Sequence, residues 1–275
     1  MKRYLYTAVI ILVMVVALSL YHIVKSGYSL HDIMHRGDVT WRLKDREIRS
    51  RLLAVPIILY HNIDGKGVFS LSLDVMRSHF QLLRERGVRV IRLSTLTERL
   101  ENPKPFHDKV VVITFDDGFL SMYTKLLPLA REFGYPITLF VYTDNIYHRA
   151  EKKLTWAELR ELEDSGIEIE CHSISHADLK KLSRKKTPES KRQLFEEIYL
   201  AKRIVELYLR KRIKYFAFPY GRYDLSLIDL CSNAGYERVF STDYGSNIIT
   251  RNNYCLRRRH IKRNTLLMKI ESILK

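Results

Sequence analysis

Cysteine is scarce in this chain: its 275 residues include only Cys171, Cys231 and Cys255. A secreted domain stapled by disulfides normally carries more cysteines, in an even number. The composition therefore excludes a disulfide scaffold, and an apolar core must hold the fold together. With 46% hydrophobic residues, the chain can form one α/β domain of roughly 200 to 250 residues.

Acidic residues are also few, since 31 Asp and Glu stand against 47 Lys and Arg, a formal net charge of +16. This imbalance favours anionic partners such as phospholipid headgroups, acidic polymers or nucleic acid. The most basic stretch, residues 251–263, contains six Lys or Arg and no acid. The sequence has no zinc-finger spacing, no RNP-type aromatic signature and no recognition-helix motif, so we do not expect a nucleic-acid partner.

The amino terminus contains an apolar run, residues 4–24, between Lys2-Arg3 and Lys25. A helix of this length spans about 30 Å, the thickness of the hydrocarbon core of a bilayer. We predict a membrane-spanning signal anchor over residues 1–25, a stalk over 26–51 and a folded domain over 52–275. A cleaved signal peptide with its cleavage site near residues 17–19 is the alternative. Basic residues flank the run on both sides, so the charge pattern does not fix its orientation.

From Leu52 onward, short β-branched runs alternate with helical periods, a pattern typical of parallel strands joined by crossover helices. Several runs lack polar alternation, as strands covered on both faces do. The predicted strands are VPIILYH, VRVIR, KVVVITF, ITLFVY, IEIECHS, KYFAFPY and YERVFST, with a further candidate in NYCLRRRHI. Among the predicted helices, one begins with a Thr155/Glu158 capping box, and the longest covers residues 187–210. About seven such units predict an α/β fold, a distorted (β/α) barrel preceded by the membrane-spanning helix.

Polar residues with catalytic potential lie at the carboxyl ends of the predicted strands, where barrels place their active sites. These residues are Asp116 and Asp117, His172 and His176, His61, and the PYG sequence at 219–221. One carboxylate and two imidazoles can hold Zn²⁺ or another divalent metal and leave positions open for water and substrate. A second carboxylate can then act as a base on a water whose pKa the metal lowers.

Each of these features has a simpler explanation when taken alone. An Asp-Asp pair is usually a turn or a helix cap, and two histidines four residues apart are often core or surface residues. The order of the motifs along the chain is more specific. TFDDGF, then HSISH, then FAFPYG resemble the first three motifs of the NodB-homology polysaccharide deacetylases, carbohydrate esterase family 4. The resemblance covers residues 53–261, and LYHNI is similar in particular to the exported branch that deacetylates poly-N-acetylglucosamine.

The resemblance implies a role for four residues of the first two motifs. Asp117, His172 and His176 would bind the metal, usually zinc in this family, and Asp116 would be the catalytic base. The reaction would be hydrolysis of an N-acetyl group on a hexosamine, which releases acetate and a free amine.

The remaining roles are less fully specified. By resemblance, the backbone N–H of Tyr220 would stabilise the oxyanion, and Pro219 with Tyr220 would contact substrate. For the general acid, His61 is the first candidate; His260 resembles the late histidine motif only loosely, and we place it in substrate binding. Relatives often carry an arginine in an RPPY motif that pairs with the base. Here Ala217 occupies that place, so the partner of the base is not identified.

We therefore expect a metal-dependent polysaccharide N-deacetylase, anchored in a bacterial cytoplasmic membrane with its catalytic domain outside the cytoplasm. Poly-N-acetylglucosamine, chitooligosaccharides and peptidoglycan are all candidate substrates. The alternatives are a catalytically silent carbohydrate-binding protein of the same fold and an amidohydrolase acting on a non-sugar amide. The presence of both aspartates and both motif histidines argues against the first alternative, and the YHNI sequence argues against the second.

Overall fold

The computed structural model describes residues 54–102, 106–147, 152–248, 254–265, 270 and 272–273 of the chain. These residues belong to one compact unit, Ser50–Lys275. The predicted membrane anchor and stalk, residues 1–51, lie outside the described part. Within that part, no helix combines the length and the apolar character needed to cross a membrane.

A parallel sheet of nine short strands forms the centre of the described part. In chain order the strands are β1 (Ala54–Val55), β2 (Ile57–Tyr60), β3 (Arg89–Val90), β4 (Val110–Asp116), β5 (Thr138–Val141), β6 (Glu168–Cys171), β7 (Tyr215–Ala217), β8 (Arg238–Phe240), β9 (Asn247–Ile248), β10 (Cys255–Leu256) and β11 (Arg259–His260). The order across the sheet is β10-β8-β7-β6-β5-β4-β2-β11, with β3 paired to β4; β1 and β9 form a separate antiparallel pair. The sheet curls into a half-barrel, consistent with the predicted distorted (β/α) barrel.

Every predicted strand segment overlaps an observed strand, and NYCLRRRHI contains two of them, β10 and β11. The observed strands are only two to seven residues long. Most of them end earlier than predicted because the polar residues at their carboxyl ends leave the sheet and turn into loops, whereas β4 continues one residue further, to Asp116. These loops carry the candidate site residues.

The two edge strands of the sheet, β10 and β11, are neighbours in the sequence. β10 pairs with β8 and β11 pairs with β2, and only Arg257 and Arg258 separate them. This link therefore carries the chain from one edge of the curled sheet to the other. Among the described strands, no backbone hydrogen bonds pair β10 with β11. The two edges of the curl are therefore connected covalently, by the two-residue link, and not by strand pairing.

The sheet is buried on both faces, which explains why the strand sequences lack polar alternation. On β4, Val111 and Phe115 pack with the helices outside the curl, whereas Val110 and Val112 belong to a second cluster on the other face. Asp116 has the same parity as Val112, so its side chain points to the inside of the curl. The three cysteines are free thiols, in agreement with the prediction that no disulfide holds the fold.

Nine α-helices are described, and they include those predicted from periodicity. They are α1 (Leu73–Glu85), α2 (Leu93–Glu101), α3 (Leu127–Phe133), α4 (Thr143–Tyr147), α5 (Trp156–Asp164), α6 (Leu179–Ser183), α7 (Pro188–Phe195), α8 (Ala201–Leu209) and α9 (Leu225–Asn233). The predicted capping box at Thr155 and Glu158 is present at the start of α5. The long helix predicted over 187–210 is also present, but a π-helical segment, Glu196–Leu200, joins α7 to α8. Sequence periodicity does not reveal such a wide turn.

The carboxyl end of β7 runs into a tight turn, Pro219–Gly221, closed by a hydrogen bond of 2.8 Å from the Gly221 N–H to the carbonyl of Phe218. Gly221 has a φ of +67°, and a Cβ at this position would lie 2.5 Å from the backbone nitrogen of Thr242. Glycine is therefore required both for the backbone conformation and for the close approach of two chain segments.

We expect Gly221→Ala to lower the free energy of unfolding by about 3 kcal/mol or more. The left-handed conformation costs an L residue roughly 1–2 kcal/mol, and forcing a methyl group against a neighbouring segment adds about 1–3 kcal/mol. Urea unfolding followed by tryptophan fluorescence measures this loss.

Gly134, at the carboxyl end of α3, is the matched control. Its φ of +68° is almost the same, but no atom lies within 4 Å of the position that a Cβ would occupy. Gly134→Ala should therefore cost only about 1–2 kcal/mol. Equal losses in the two variants would show that the contact with Thr242 does not constrain the turn.

Candidate active site

Three candidate ligands converge at the carboxyl ends of β4 and β6. The Oδ1 atom of Asp117 lies 3.6 Å from Nε2 of His172 and 3.3 Å from Nε2 of His176. One ligand atom from each of the three residues can be chosen so that all lie within 4.8 Å of one another. These residues are up to 59 positions apart in the sequence. The parallel sheet brings them together because β5 is the only strand between β4 and β6.

The donor atoms of this cluster fit a divalent cation. Oδ1 of Asp117 is buried and has no hydrogen-bond partner among the described residues. Nδ1 of His172 lies 2.7 Å from the carbonyl oxygen of Ala217, so it donates its hydrogen there and leaves Nε2 as the ligand nitrogen. Burial and the neighbouring His172 lower the pKa of His176 to about 4, so its ring is neutral near pH 7. A carboxylate with two imidazoles suits zinc, cobalt, nickel or manganese.

Asp116 is held beside this cluster by an arginine that the sequence analysis did not identify. Arg258, in the link between β10 and β11, donates from its two terminal nitrogens to the two carboxylate oxygens of Asp116, each at 2.7 Å. Its third nitrogen, Nε, donates to the carbonyl of Ser241 at 3.1 Å, and its guanidinium lies over the ring of Phe140. Both charged side chains are almost fully buried. The aspartate is therefore fixed in position and orientation.

Opposing effects set the protonation of Asp116. Burial raises the pKa of the carboxyl group, while the charges of Arg258 and His172 lower it, and the net result is a pKa of about 2. Nε2 of His172 lies 3.8 Å from Asp116, so the carboxylate also borders the candidate metal ligands. Asp116 is ionised throughout the physiological pH range.

Arg258 explains how this chain manages without an arginine at position 217. The motif pattern places the partner of Asp116 beside the PYG turn, where Ala217 stands, whereas Arg258 belongs to a basic stretch of the sequence. Residue spacing could have identified Arg258. It lies two residues before His260, and residues two apart in an extended segment point to the same side, so both can point to the inside of the curl. A sequence with three adjacent arginines, Arg257 to Arg259, does not show which of them is buried.

The PYG turn borders the cluster on another side. Tyr220 has a φ of +58°, and its ring is 57% exposed with its centroid 4.7 Å from that of His176. Pro219 is buried within the turn. Tyr220 is thus the residue of this motif that presents surface to solvent next to the candidate metal ligands.

The two candidate acids, His61 and His260, form a stack with Phe69. The ring centroids of the two histidines are 4.7 Å apart, and the Phe69 ring lies 4.6 Å from that of His260. Burial lowers the pKa of His61, although the charges of Asp116 and Asp117 oppose this effect. Burial, with His61 as the next contribution, lowers the pKa of His260 to about 4. The structure therefore places both histidines in one cluster within the electrostatic field of the aspartates.

A lysine that the sequence analysis did not single out also contacts the site. Nζ of Lys153 donates a hydrogen bond of 3.1 Å to the carbonyl of Asp117 and lies 3.5 Å from the centroid of the Phe119 ring. Burial lowers the pKa of Lys153 to about 8, against the attraction of Asp117. The contact helps to hold Asp117 in its left-handed conformation, with a φ of +78°.

Comparisons with known proteins agree with this geometry. The sequence profile described as Polysaccharide deacetylase matches residues 103–239. YxkH of Bacillus subtilis (strain 168), whose name describes a polysaccharide deacetylase, is 26% identical over 204 residues, with 74% of this chain and 70% of that protein covered. The poly-beta-1,6-N-acetyl-D-glucosamine N-deacetylase of Escherichia coli (strain K12) is 24% identical over 229 residues, with 68% of this chain but only 34% of that protein covered.

A solved structure provides the corresponding comparison of folds. The Streptococcus pyogenes deacetylase PplD, solved in complex with acetate, superposes with a TM-score of 0.72 at 20% sequence identity. The match covers 81% of this chain and 98% of that one. At this level of identity the likeness establishes the fold, a parallel half-barrel with its loops at the carboxyl ends of the strands.

The buried pair of Asp116 and Arg258 makes a prediction about stability and pH. Arg258→Met leaves a buried carboxylate without its partner, which costs about 3–5 kcal/mol near neutral pH. Because the wild-type pKa of Asp116 is lowered, its stabilising contribution is present above the unfolded value of 3.8 and is lost as the pH falls towards 2. In the variant, burial raises this pKa instead, so protonation relieves the penalty on acidification. The difference in unfolding free energy should therefore shrink between about pH 7 and about pH 4.

Arg222→Met is the matched control, since Arg222 forms an exposed ion pair with Asp178 at 2.6 Å. Its loss should cost no more than about 1 kcal/mol at either pH. Urea unfolding at both pH values measures the two variants. If Arg258→Met lowered the free energy of unfolding only slightly, or lowered it more at acidic pH than at neutral pH, the account of the buried pair would be contradicted.

Proposed function

Since the chain belongs to the polysaccharide deacetylase family, we propose that it hydrolyses N-acetyl groups on an N-acetylglucosamine-containing polysaccharide, with a divalent metal as cofactor. The observation that carries this proposal is the convergence of Asp117, His172 and His176 beside an ionised Asp116 that Arg258 holds in place. Similarity to the Escherichia coli deacetylase named for poly-beta-1,6-N-acetyl-D-glucosamine supports the substrate class.

Two aspartates and two histidines have separate roles, one in proton transfer and three in metal binding. Asp117, His172 and His176 hold the cation, most readily Zn²⁺. When bound, such a cation polarises an amide carbonyl and lowers the pKa of water. Asp116 accepts the proton of the attacking water, because it is ionised at neutral pH and Arg258 restricts its orientation. Since its pKa is about 2, Asp116 does not retain that proton and passes it on.

The loops around the cluster orient the substrate. The PYG turn holds Tyr220 beside His176, so that its backbone N–H stabilises the oxyanion and its exposed ring packs against a sugar. Pro219 sets the geometry of this turn. Sugar rings pack on exposed aromatic side chains because their C–H faces are apolar.

Protonation of the leaving amine belongs to the stack formed by His61, His260 and Phe69. His61 follows β2 and lies within the field of Asp116 and Asp117, so it takes up the proton that Asp116 releases and delivers it to the amine. His260, which packs against both His61 and the exposed Phe69, contacts the substrate. An anchor over residues 1–25 would place this chemistry at the outer side of a bacterial cytoplasmic membrane.

The direct test is acetate release by the purified protein loaded with one divalent metal. We expect release from N-acetylglucosamine oligomers, and a panel with β-1,6-linked oligomers, chitooligosaccharides and peptidoglycan fragments identifies the preferred glycan. One bound metal per chain without acetate from any of these substrates or from simple amides would favour a silent carbohydrate-binding protein instead.

Two variants separate the base from the metal ligands. Asp116→Asn should reduce acetate release by at least about 100-fold, because general-base catalysis contributes roughly 10²–10⁴ in rate. The same variant should still bind one metal. His172→Ala should lose both metal and activity, because it removes a ligand. Metal content by mass spectrometry and acetate by a coupled assay measure both quantities. Near-normal turnover in Asp116→Asn would contradict its assignment as the base.

The two stacked histidines make a further prediction. His61→Gln should lower kcat by about 100-fold or more with little change in KM, because it removes the general acid. His260→Gln should mainly raise KM, because it removes a substrate contact. His107→Gln, at an exposed position, is the control and should change neither constant. The opposite pattern, with kcat lost only in His260→Gln, would exchange the two roles.

A further inference from the structure

The loop that carries His176 has an unusual backbone. Ser173 and His176 both adopt left-handed conformations, with φ values of 79° and 60°. Neither residue is a glycine, so each conformation is energetically unfavourable unless the surroundings enforce it. Inside the loop, the only hydrogen bond described is from the His176 N–H to the Ser173 hydroxyl, at 3.1 Å. The conformation must therefore be enforced from outside the loop.

Glu197 provides one such external contact, beside hydrogen bonds from the backbone N–H groups of Thr143 and Asp144 to two carbonyls of the loop. Its Oε2 accepts hydrogen bonds from the backbone N–H groups of Ile174 and Ser175, each at 3.0 Å. Its Oε1 accepts a hydrogen bond from the Ser175 hydroxyl. Both carboxylate oxygens are thus occupied by two consecutive residues of one loop. Glu197 is only 3% exposed and has no ion-pair partner in the described part of the chain, so the loop is its principal binding partner.

The helix that carries Glu197 is adapted to present it. Glu197 lies in the π-helical segment between α7 and α8, a kind of wide turn that is frequent near functional sites. The buried positions of this helix include Leu194, Ile198, Ala201 and Val205, and Glu197 falls among them. A glutamate in an otherwise apolar stripe is costly to bury unless its oxygens are fully hydrogen-bonded. Here the backbone of the His176 loop supplies the hydrogen bonds.

We infer that Glu197 is a positioning residue for the metal site: it holds the loop from Ser173 to His176 so that Nε2 of His176 faces Asp117. This inference rests on the metal site of the proposed function. Glu197 does not contact the reacting atoms itself. It acts through the backbone on either side of a ligand, the role that second-layer hydrogen bonds have at metal sites.

The test is the affinity of the metal-free full-length protein for Zn²⁺, measured by competition with a chromophoric chelator. Glu197→Gln keeps the size of the side chain but replaces one acceptor oxygen by an NH₂ group, which cannot accept a hydrogen bond from the loop. We expect Zn²⁺ to bind about 10- to 100-fold more weakly. An affinity equal to that of the wild type would overturn the inference, whatever the substrate of the protein.

Two control variants separate positioning from general stability. Glu196→Gln makes the same chemical change at the neighbouring position, where the carboxylate pairs with Arg192 at 3.0 Å, and should change Zn²⁺ affinity by less than about twofold. Leu194→Ala removes core packing from the same helix and should lower thermal stability without weakening Zn²⁺ binding. If Leu194→Ala weakened binding as much as Glu197→Gln, a purely structural role would explain the effect and the inference would fail.

Ser175→Ala provides a second measurement if Glu197→Gln does not fold. It removes the hydroxyl donor but leaves both backbone donors, so Zn²⁺ affinity should fall by about two- to tenfold. If Glu197→Gln does not fold and Ser175→Ala binds Zn²⁺ as tightly as the wild type, the inference is overturned. The assay contains no glycan. Weaker Zn²⁺ binding in Glu197→Gln, together with no acetate release by the wild type, would support the role of Glu197 and reject the proposed reaction.

Discussion

The ion pair of Asp116 and Arg258 is the interaction on which the rest of the site depends. It joins the carboxyl end of β4, near the middle of the sheet, to the two-residue link between the edge strands. A buried carboxylate and a buried guanidinium are each costly alone, and they are compensated here by two short parallel hydrogen bonds. Because the same link closes the curled sheet, the position of Asp116 and the closure of the fold depend on each other.

The backbone around the cluster stores strain that the remainder of the structure must balance. Among the described residues, seven non-glycine residues have positive φ, and four of them, Asp117, Ser173, His176 and Tyr220, lie at the site. Each such conformation costs on the order of 1–3 kcal/mol. The compensating contacts are specific: Lys153 holds the carbonyl of Asp117, Glu197 holds the loop of His176, and Gly221 allows the PYG turn to pack against Thr242. The site is thus rigid where ligands must converge.

Features that depend on local sequence patterns could be predicted, whereas contacts between distant segments of the chain could not. Alternating strands and helices, the Thr155 cap and the strand-end positions of the first three motifs follow from periodicity and motif order, and the structure agrees with them. Arg258 and Glu197 were not found, because each acts on a partner far away in the chain, 142 and about 22 positions distant. A single charged residue in a basic stretch or in an apolar helical stripe does not identify its partner. The shape of the substrate cleft is set by such contacts between loops.

The arrangement of protonation states follows from the same contacts and bears on the direction of proton transfer. Arg258 keeps Asp116 ionised with a pKa of about 2, whereas burial lowers the pKa of His176 and of His260 to about 4 and lowers that of His61. At neutral pH the centre therefore contains an ionised Asp116 and a neutral His176, and metal binding needs such a neutral imidazole. A proton that reaches Asp116 meets a weak base there and a stronger one in the neighbouring histidine stack. Under the proposed function, this order of pKa values favours proton transfer from water through Asp116 towards the leaving amine, which is the direction that amide hydrolysis needs.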